Sequence, residues 1–276
     1  MAKNNKYSIS ETKEHQWIKE GRGSGQGSNY KPWITVRDIP SEGRSHRVFG
    51  HKTQRTHHLL SDLELAVFLL LEWQMTTTDI REQFPLRRED TMALAIEAGI
   101  DHPSSNGLIH TMSSDFLVNT SSPLQPKFVL QAKYAQAIQD PRTIEKLELE
   151  RRYWQQKDVP WLIITDQDIP KVVFQNINWL YPAQRDDLNE ETILDRHKFY
   201  SFQFQQYPDK TIIEIAKKLD VEYKLSIGES LLEIRQLLAR RCFLFNILTS
   251  TIKLKGSDLQ TGDMTTYLEA YRVSSQ

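Results

Sequence analysis

Apolar positions recur at helical spacing most densely between Leu59 and Trp73. There HLLSDLELAVFLLLEW places leucines, Val67 and Phe68 three or four residues apart, and Ser61 or Asp62 can accept the orphan N–H groups of a first turn. The spacing predicts a well-buried helix. In TDIREQFPL, Ile80 and Phe84 punctuate polar residues before Pro85, which reads as a strand ending in a turn, and Thr91 to Ala98 then reads as a short helix. Ser114 to Asn119 and Lys127 to Tyr134 read as two strands around the turn-rich TSSPLQP, because Pro123 and Pro126 interrupt any ladder. Pro141 after Asp140 marks a helix onset. RTIEKLELERRYWQQK continues that helix, and Pro160 to Thr165 follows as a short apolar strand. Helix, strand, hairpin, helix, strand predicts an α/β fold with a mixed sheet flanked by helices, closing near Asp166 to Pro170.

Beyond that point Val172 to Leu180 reads as a helix, followed by the polar stretch PAQRDDLNEETILDRHKFY. Asp209 to Leu219 and Gly228 to Arg241 read as two further helices, with Phe243 to Leu248 and Ile252 to Lys255 as a hairpin after them. Helix, turn, helix, hairpin is winged-helix-like. Two domains are expected, 1–168 and 169–276, and 276 residues give each room for a core.

Charge changes the picture only locally, because the formal net charge is -1. Before His57 the chain carries eleven basic residues (Lys3, Lys6, Lys13, Lys19, Arg22, Lys31, Arg37, Arg44, Arg47, Lys52, Arg55) against five acids (Glu11, Glu14, Glu20, Asp38, Glu42), a surplus suited to DNA phosphates. Gly21, Gly23, Gly25 and Gly27 within it do not form a GxxxxGK[ST] phosphate loop, so a flexible basic arm is expected. Cys242 stands alone, which excludes an internal disulfide or a cysteine-rich zinc site and favours oxygen-ligated metals. The longest apolar run, Leu65 to Leu71, is far short of the ~20 residues that span a bilayer. The expectation is a soluble cytoplasmic protein with no membrane partner.

Candidate chemistry sits in three separated pieces: Glu64 in the first helix, Asp115 in SSDFLV, and Gln131-Ala132-Lys133 in FVLQAKY. Two acids supply the oxygen ligands that a hard divalent cation prefers. A lysine beside a scissile phosphate can orient water and stabilise charge growing in the transition state. A hairpin symmetric about Leu124 sets Asp115 opposite Lys133 and Leu117 opposite Gln131, with opposed Cβ atoms ~5 Å apart, whereas a slip of one residue separates them. Singly these residues are ordinary, and Glu64 has Arg55 and His58 nearby as helix-surface partners. The remaining candidates read more simply. His57 and His58 could hold a phosphate or a metal but read first as structural or surface residues, Glu148 and Glu150 could approach the site from their helix but read first as a salt-bridged face, Trp154, Trp161 and Trp179 read as packing, and Leu231 to Leu238 as core. Arg235, Arg240 and Arg241 offer charge for phosphates, yet Glu222, Glu229 and Glu233 lie among them, so protein docking is at least as well supported there.

The segments HHLLSDLELAVFLLLEW, DIREQFPL, MSSDFLV, QAKYAQAIQD and RTIEKLELERRYWQQKDVPW resemble the TnsA family, the transposon-end endonucleases of cut-and-paste transposons. The resemblance covers nearly the whole chain and is densest between Tyr30 and Trp179. It implies a restriction-endonuclease-like domain of PD-(D/E)xK type, a winged-helix-like C-terminal domain, and Mg²⁺ as cofactor with Mn²⁺ able to substitute. The matching catalytic positions are Glu64, Asp115 and Lys133. Glu64 and Asp115 then hold metal, with Gln131 and the Ala132 carbonyl as further oxygen ligands. Gln131 stands where many such nucleases carry a second acid. The resemblance further implies cutting of the 5′ strand of double-stranded transposon ends and work beside the integrase-type transposase TnsB and the ATP-dependent regulator TnsC, in the bacterial cytoplasm and on the nucleoid. Two rivals stay open on the sequence, a stand-alone restriction or repair nuclease of the same fold and a non-catalytic adaptor.

Overall fold

A computed structural model describes residues 10–38, 43–105, 107–185 and 187–263, so Lys3, Lys6 and Glu42 lie outside the described residues. The chain divides into two compact units, one ending at Ile169 and the next starting at Pro170. The first unit runs through helix α1 (Glu11–Lys19), strands β1 (His46–Gly50) and β2 (Arg55–Leu59), α2 (Asp62–Trp73), β3 (Thr77–Pro85) and α3 (Arg88–Ala98). It continues with the short pair β4 (Ser104–Ser105) and β5 (Leu108–Ile109), then β6 (Ser113–Thr120), β7 (Lys127–Ala132), α4 (Pro141–Gln156) and β8 (Trp161–Ile164).

Four strands form the central sheet in the order β3-β6-β7-β8, antiparallel except for the β7–β8 pair. That pair is parallel because α4 serves as the crossover between its strands. Leu117 and Val129 pack on Leu149, Tyr153 and Trp154 of α4 and on Leu94 and Ala95 of α3. Phe116 and Val118, alternating with Leu117, are equally buried, and α2 packs on β3 and β7. The result is a mixed sheet flanked by helices, which suits a restriction-endonuclease-like arrangement.

Three expectations change in this unit. Leu59 belongs to β2, and the helix begins at Asp62, with Ser61 as its N-cap accepting from the Glu64 N–H. The segment read as a flexible arm is instead packed. Trp17, Tyr30 and Trp33 are buried, the Tyr30 hydroxyl donates to the Glu82 carbonyl, and the Trp33 N–H donates to the Gln83 carbonyl. Gly23 and Gly25 make this possible, at φ 75° and 92°. A Cβ would fall 2.2 Å from the Pro85 ring at Gly23 and 2.4 Å from the Asn29 carbonyl oxygen at Gly25. The β6–β7 hairpin pairs Phe116 with Leu130 and Asn119 with Lys127, centring on Pro123 rather than Leu124. The turn is tightened by the Thr120 N–H and Oγ1, which donate to the Pro126 and Gln125 carbonyls. A slip of two on the partner strand preserves facing, because side chains alternate with a period of two.

The second unit comprises α5 (Lys171–Leu180), α6 (Glu190–Gln206), α7 (Ile212–Glu222), α8 (Glu229–Ala239), and the pair β9 (Phe243–Leu244) and β10 (Gln260–Thr261). Helix α6 starts within the stretch read only as polar and runs beyond it to Gln206. Asn189 caps it, and Ile193, Tyr200 and Phe204 supply its buried positions. The expected hairpin of 243–248 with 252–255 does not form. β9 pairs with β10, while turns closed by Thr249 N–H to Asn246 O and Lys253 N–H to Ser250 O occupy the intervening chain.

Candidate active site

Glu64 lies in the first turn of α2 and reaches back over it. Its Oε2 accepts from the Leu60 N–H at 2.9 Å and its Oε1 from the Ser61 hydroxyl at 3.1 Å. The cap that starts the helix thus also holds this carboxylate. Asp115 comes from β6, and its Oδ2 accepts from the Ala132 N–H at 2.8 Å and from Lys133 Nζ at 3.4 Å. The Asp115 N–H donates to Gln131 Oε1 at 2.9 Å. Gln83 of β3 joins the two acids, its Nε2 standing 3.4 Å from both Glu64 Oε2 and Asp115 Oδ1. Glu64, Asp115, Gln131, Ala132 and Lys133 therefore meet at one place, at the ends of β6 and β7 and the start of α2.

Gln83 escaped sequence reasoning, and Glu150 was weighed as a residue approaching the site but read first as part of a salt-bridged surface. Glu150 is not on the exposed face of α4; it is buried, accepting from the Ser114 hydroxyl at 2.7 Å and from Trp161 Nε1 at 2.9 Å. A signal was present, since Leu147, Glu150 and Trp154 share one stripe of α4 and an acid on an apolar stripe has a partner or a task. Gln83 gave no such signal. Glu148, by contrast, is a surface acid held by Arg151 and Arg152. Gln131, Lys133, Ser113, Thr143, Lys146 and Glu150 line an open groove of about 360 Å³ beside the cluster.

Electrostatically the cluster is short of positive charge. Burial, with Asp115 adding to it, pushes the Glu64 carboxyl up to about 8. Burial likewise raises Glu150 to about 7, against the hydrogen bonds from Ser114 and Trp161, with Asp115 adding to the rise. Burial works against the Lys133 ammonium, but Asp115, Glu150 and Glu64 outweigh it and hold its pKa above the usual lysine value. One lysine therefore faces three carboxyl groups.

Other charged candidates are spent on structure. His57 is fully buried between Glu82 and Thr53 and serves the fold. Arg235 donates to the Trp179 carbonyl and Arg240 to the Ala183 carbonyl, so both tie α8 to neighbouring chain. No helix among the described residues is long and apolar enough to cross a membrane.

A TnsA-like endonuclease N-terminal family model matches residues 74–166, and a TnsA endonuclease C-terminal model matches residues 168–247. Over 259 residues the chain is 50% identical to the Transposon Tn7 transposition protein TnsA of Escherichia coli, covering 94% of each. This chain belongs to the TnsA endonuclease family. The N-terminal TnsA match contains Gln83, Asp115, Gln131, Lys133 and Glu150 and begins after Glu64. TnsA endonucleases act on DNA, and a divalent-metal requirement is general among them.

The donor set of this TnsA chain fits such an ion. Among the described residues no three His, Cys, Asp or Glu side chains form a ready cage. What stands here is an all-oxygen pair of carboxylates, Glu64 and Asp115, with the Gln131 amide oxygen adjoining. Mg²⁺ is typically held that way, by one or two carboxylates plus water and substrate phosphate rather than by an all-protein cage.

Proposed function

We propose that this chain is the endonuclease subunit of a heteromeric transposase and cuts the 5′ strand at transposon ends in double-stranded DNA, with Mg²⁺ as cofactor and Mn²⁺ as substitute. The observation that carries the reading is the meeting of Glu64 and Asp115 at the Gln83 amide with Lys133 on Asp115, where carboxyl groups outnumber cations. Glu64 and Asp115 hold the cation, with Gln131 and the Ala132 carbonyl as additional oxygen donors. When bound, the cation lowers the pKa of its water and stabilises charge on the leaving oxygen. Lys133, anchored by Asp115, orients the attacking water and offsets charge on the phosphoryl oxygens. Water adds to phosphorus as the bond to the 3′ oxygen breaks, leaving a 5′ phosphate and a free 3′ hydroxyl.

Residues 1–168 serve as the catalytic domain with its basic N-terminal segment. Residues 169–276 form a winged-helix-like domain, supported by the α7–α8 pair and the β9–β10 ladder that follows it. That domain docks onto partner proteins, with an integrase-type transposase (TnsB) and an ATP-dependent regulator (TnsC) as the partners. The Arg235 and Arg240 contacts within the unit favour docking over phosphate binding.

The test is to reconstitute transposon-end cleavage with these partners and Mg²⁺, then to score 5′-strand nicks for Asp115→Ala and Lys133→Ala. Loss of about 10²–10³-fold or more in rate is expected for each. Unchanged nicking by either variant would sink the assignment, and robust cutting by the isolated chain would favour a stand-alone nuclease.

A further inference from the structure

Gln83 lies in the interior of β3, yet its backbone is left-handed at φ 48°, a conformation that a residue with a Cβ adopts only at a cost. The ladder pairs Glu82 with Phe116 on one side of it and Phe84 with Ser114 on the other. The irregular backbone is therefore confined to one residue and turns one side chain. That side chain is 3% exposed, and each polar atom of its amide is used. Nε2 contacts Glu64 Oε2 and Asp115 Oδ1 at 3.4 Å each, and Oε1 accepts from the Ser113 hydroxyl at 3.1 Å. The two acids fix which way the amide faces, since they call for its N–H groups while the Ser113 hydroxyl can serve as donor or acceptor.

We propose that Gln83 is a positioning residue, whose side-chain amide sets the separation and orientation of the Glu64 and Asp115 carboxylates that receive the divalent cation. The proposal rests on the reading of those two acids as ligands. Two buried carboxyl groups from different elements repel once both are ionised, as a metal ligand must be, so they need a donor between them to keep a fixed spacing. A lysine or arginine would hold them too, but it would cancel the charge that attracts the metal. A neutral amide holds both acids and leaves them free to ionise towards the metal. Groups that orient metal ligands typically contribute 10–100-fold to affinity.

The discriminating variant is Gln83→Asn. Asparagine is several-fold enriched in left-handed backbone and keeps the amide, but it is one methylene too short to span both acids. Mn²⁺ binding to the full chain, read by electron paramagnetic resonance without DNA, is expected to weaken about tenfold or more, with the thermal unfolding midpoint unchanged or higher. In end cleavage with partners, raised Mn²⁺ should restore most of the rate at an unaltered KM for DNA. Gln83→Gly, which removes both the strain and the amide, should show the same split between an intact fold and weak metal binding. Affinity within twofold of the parent in a folded Gln83→Asn or Gln83→Gly chain overturns the proposal, as does a loss of affinity that appears only when the chain is unfolded. Asp115→Ala in the same titration separates the two layers. If it too binds Mn²⁺ normally, the ligand reading fails. If it alone loses binding, only the role of Gln83 fails.

Discussion

Glu82 and Gln83 are neighbours on β3, and they belong to two buried acidic clusters that the molecule treats in opposite ways. Around Glu82 the protein supplies its own counter-charge. Arg55 donates from both terminal nitrogens, His57 Nδ1 stands 2.8 Å from the carboxylate, and the His58 N–H adds a bond at 3.1 Å. Burial alone would raise Glu82, but His57 and Arg55 outweigh it and hold its pKa well below the usual carboxylate range. Around Gln83 the acids are left in excess, and Glu64 and Glu150 are pushed up instead. A compensated cluster ties the β1–β2 hairpin to the sheet. An uncompensated one costs the fold that holds it, a cost that a cation from outside would relieve.

The contrast can be broken most forcefully at Arg55. Arg55→Ala leaves a buried charge facing only His57 and backbone donors, and a loss of about 3–5 kcal/mol in urea unfolding is expected. A loss under about 1 kcal/mol would show that the Glu82 cluster is not what ties down the hairpin. Glu64→Gln should do the reverse. Removing a buried acid whose ionisation the fold disfavours leaves stability equal or raised while end cleavage falls about 10²–10³-fold, so a variant both unstable and active contradicts the distinction.

The two clusters also divide the pH axis. Glu64 and Glu150 keep their protons in the fold at a pH where the unfolded chain, with the ordinary value of 4.5, has lost them, so their contribution fades as pH rises towards about 7 and 8. Glu82 is held ionised in the fold, so its contribution is complete above 4.5 and is lost as pH falls below that. Unfolding midpoints measured in chelator should therefore decline on both sides of a maximum near pH 5. Added Mg²⁺ should raise the midpoint more at pH 8 than at pH 6, because the ion competes with protons for the acids. A midpoint that climbs steadily from pH 5 to 8 in chelator contradicts the assignment of raised carboxyls. The smallest effect belongs to the surface. Glu148→Ala removes an exposed pair with Arg151 and Arg152 and should change stability by less than about 0.5 kcal/mol, a control against Glu150 two residues on.

Much of the catalytic unit was readable from residue order. The leucine stripe of α2, the prolines flanking the β6–β7 turn and Pro141 at the start of α4 each carry a local physical cause, and the elements lie where those causes put them. The N-terminal segment was misread because glycine and charge are ambiguous. Gly23 and Gly25 suit a mobile linker or a tight packed turn equally, and only the burial of Trp17, Tyr30 and Trp33 decides between them. The C-terminal strands were misread because apolar runs such as 243–248 do not announce their partner, which is at Gln260 and Thr261.

Chemical type and spacing were set by the chain itself. Two acids and a Gln-x-Lys are compatible with oxygen-ligated metal work, because ligand hardness belongs to the residue and not to its surroundings, and the resemblance of the surrounding segments to the TnsA family is what narrows the chemistry to it. What the tertiary structure alone decided is which charges are compensated. Arg55 was a plausible partner for Glu64 in the sequence and is the partner of Glu82 in the fold. Glu150 looked like surface and is buried, and Gln83 became the link between two acids through one left-handed backbone angle. Compensation depends on distances of a few ångströms between residues far apart in the chain, and no local pattern encodes them.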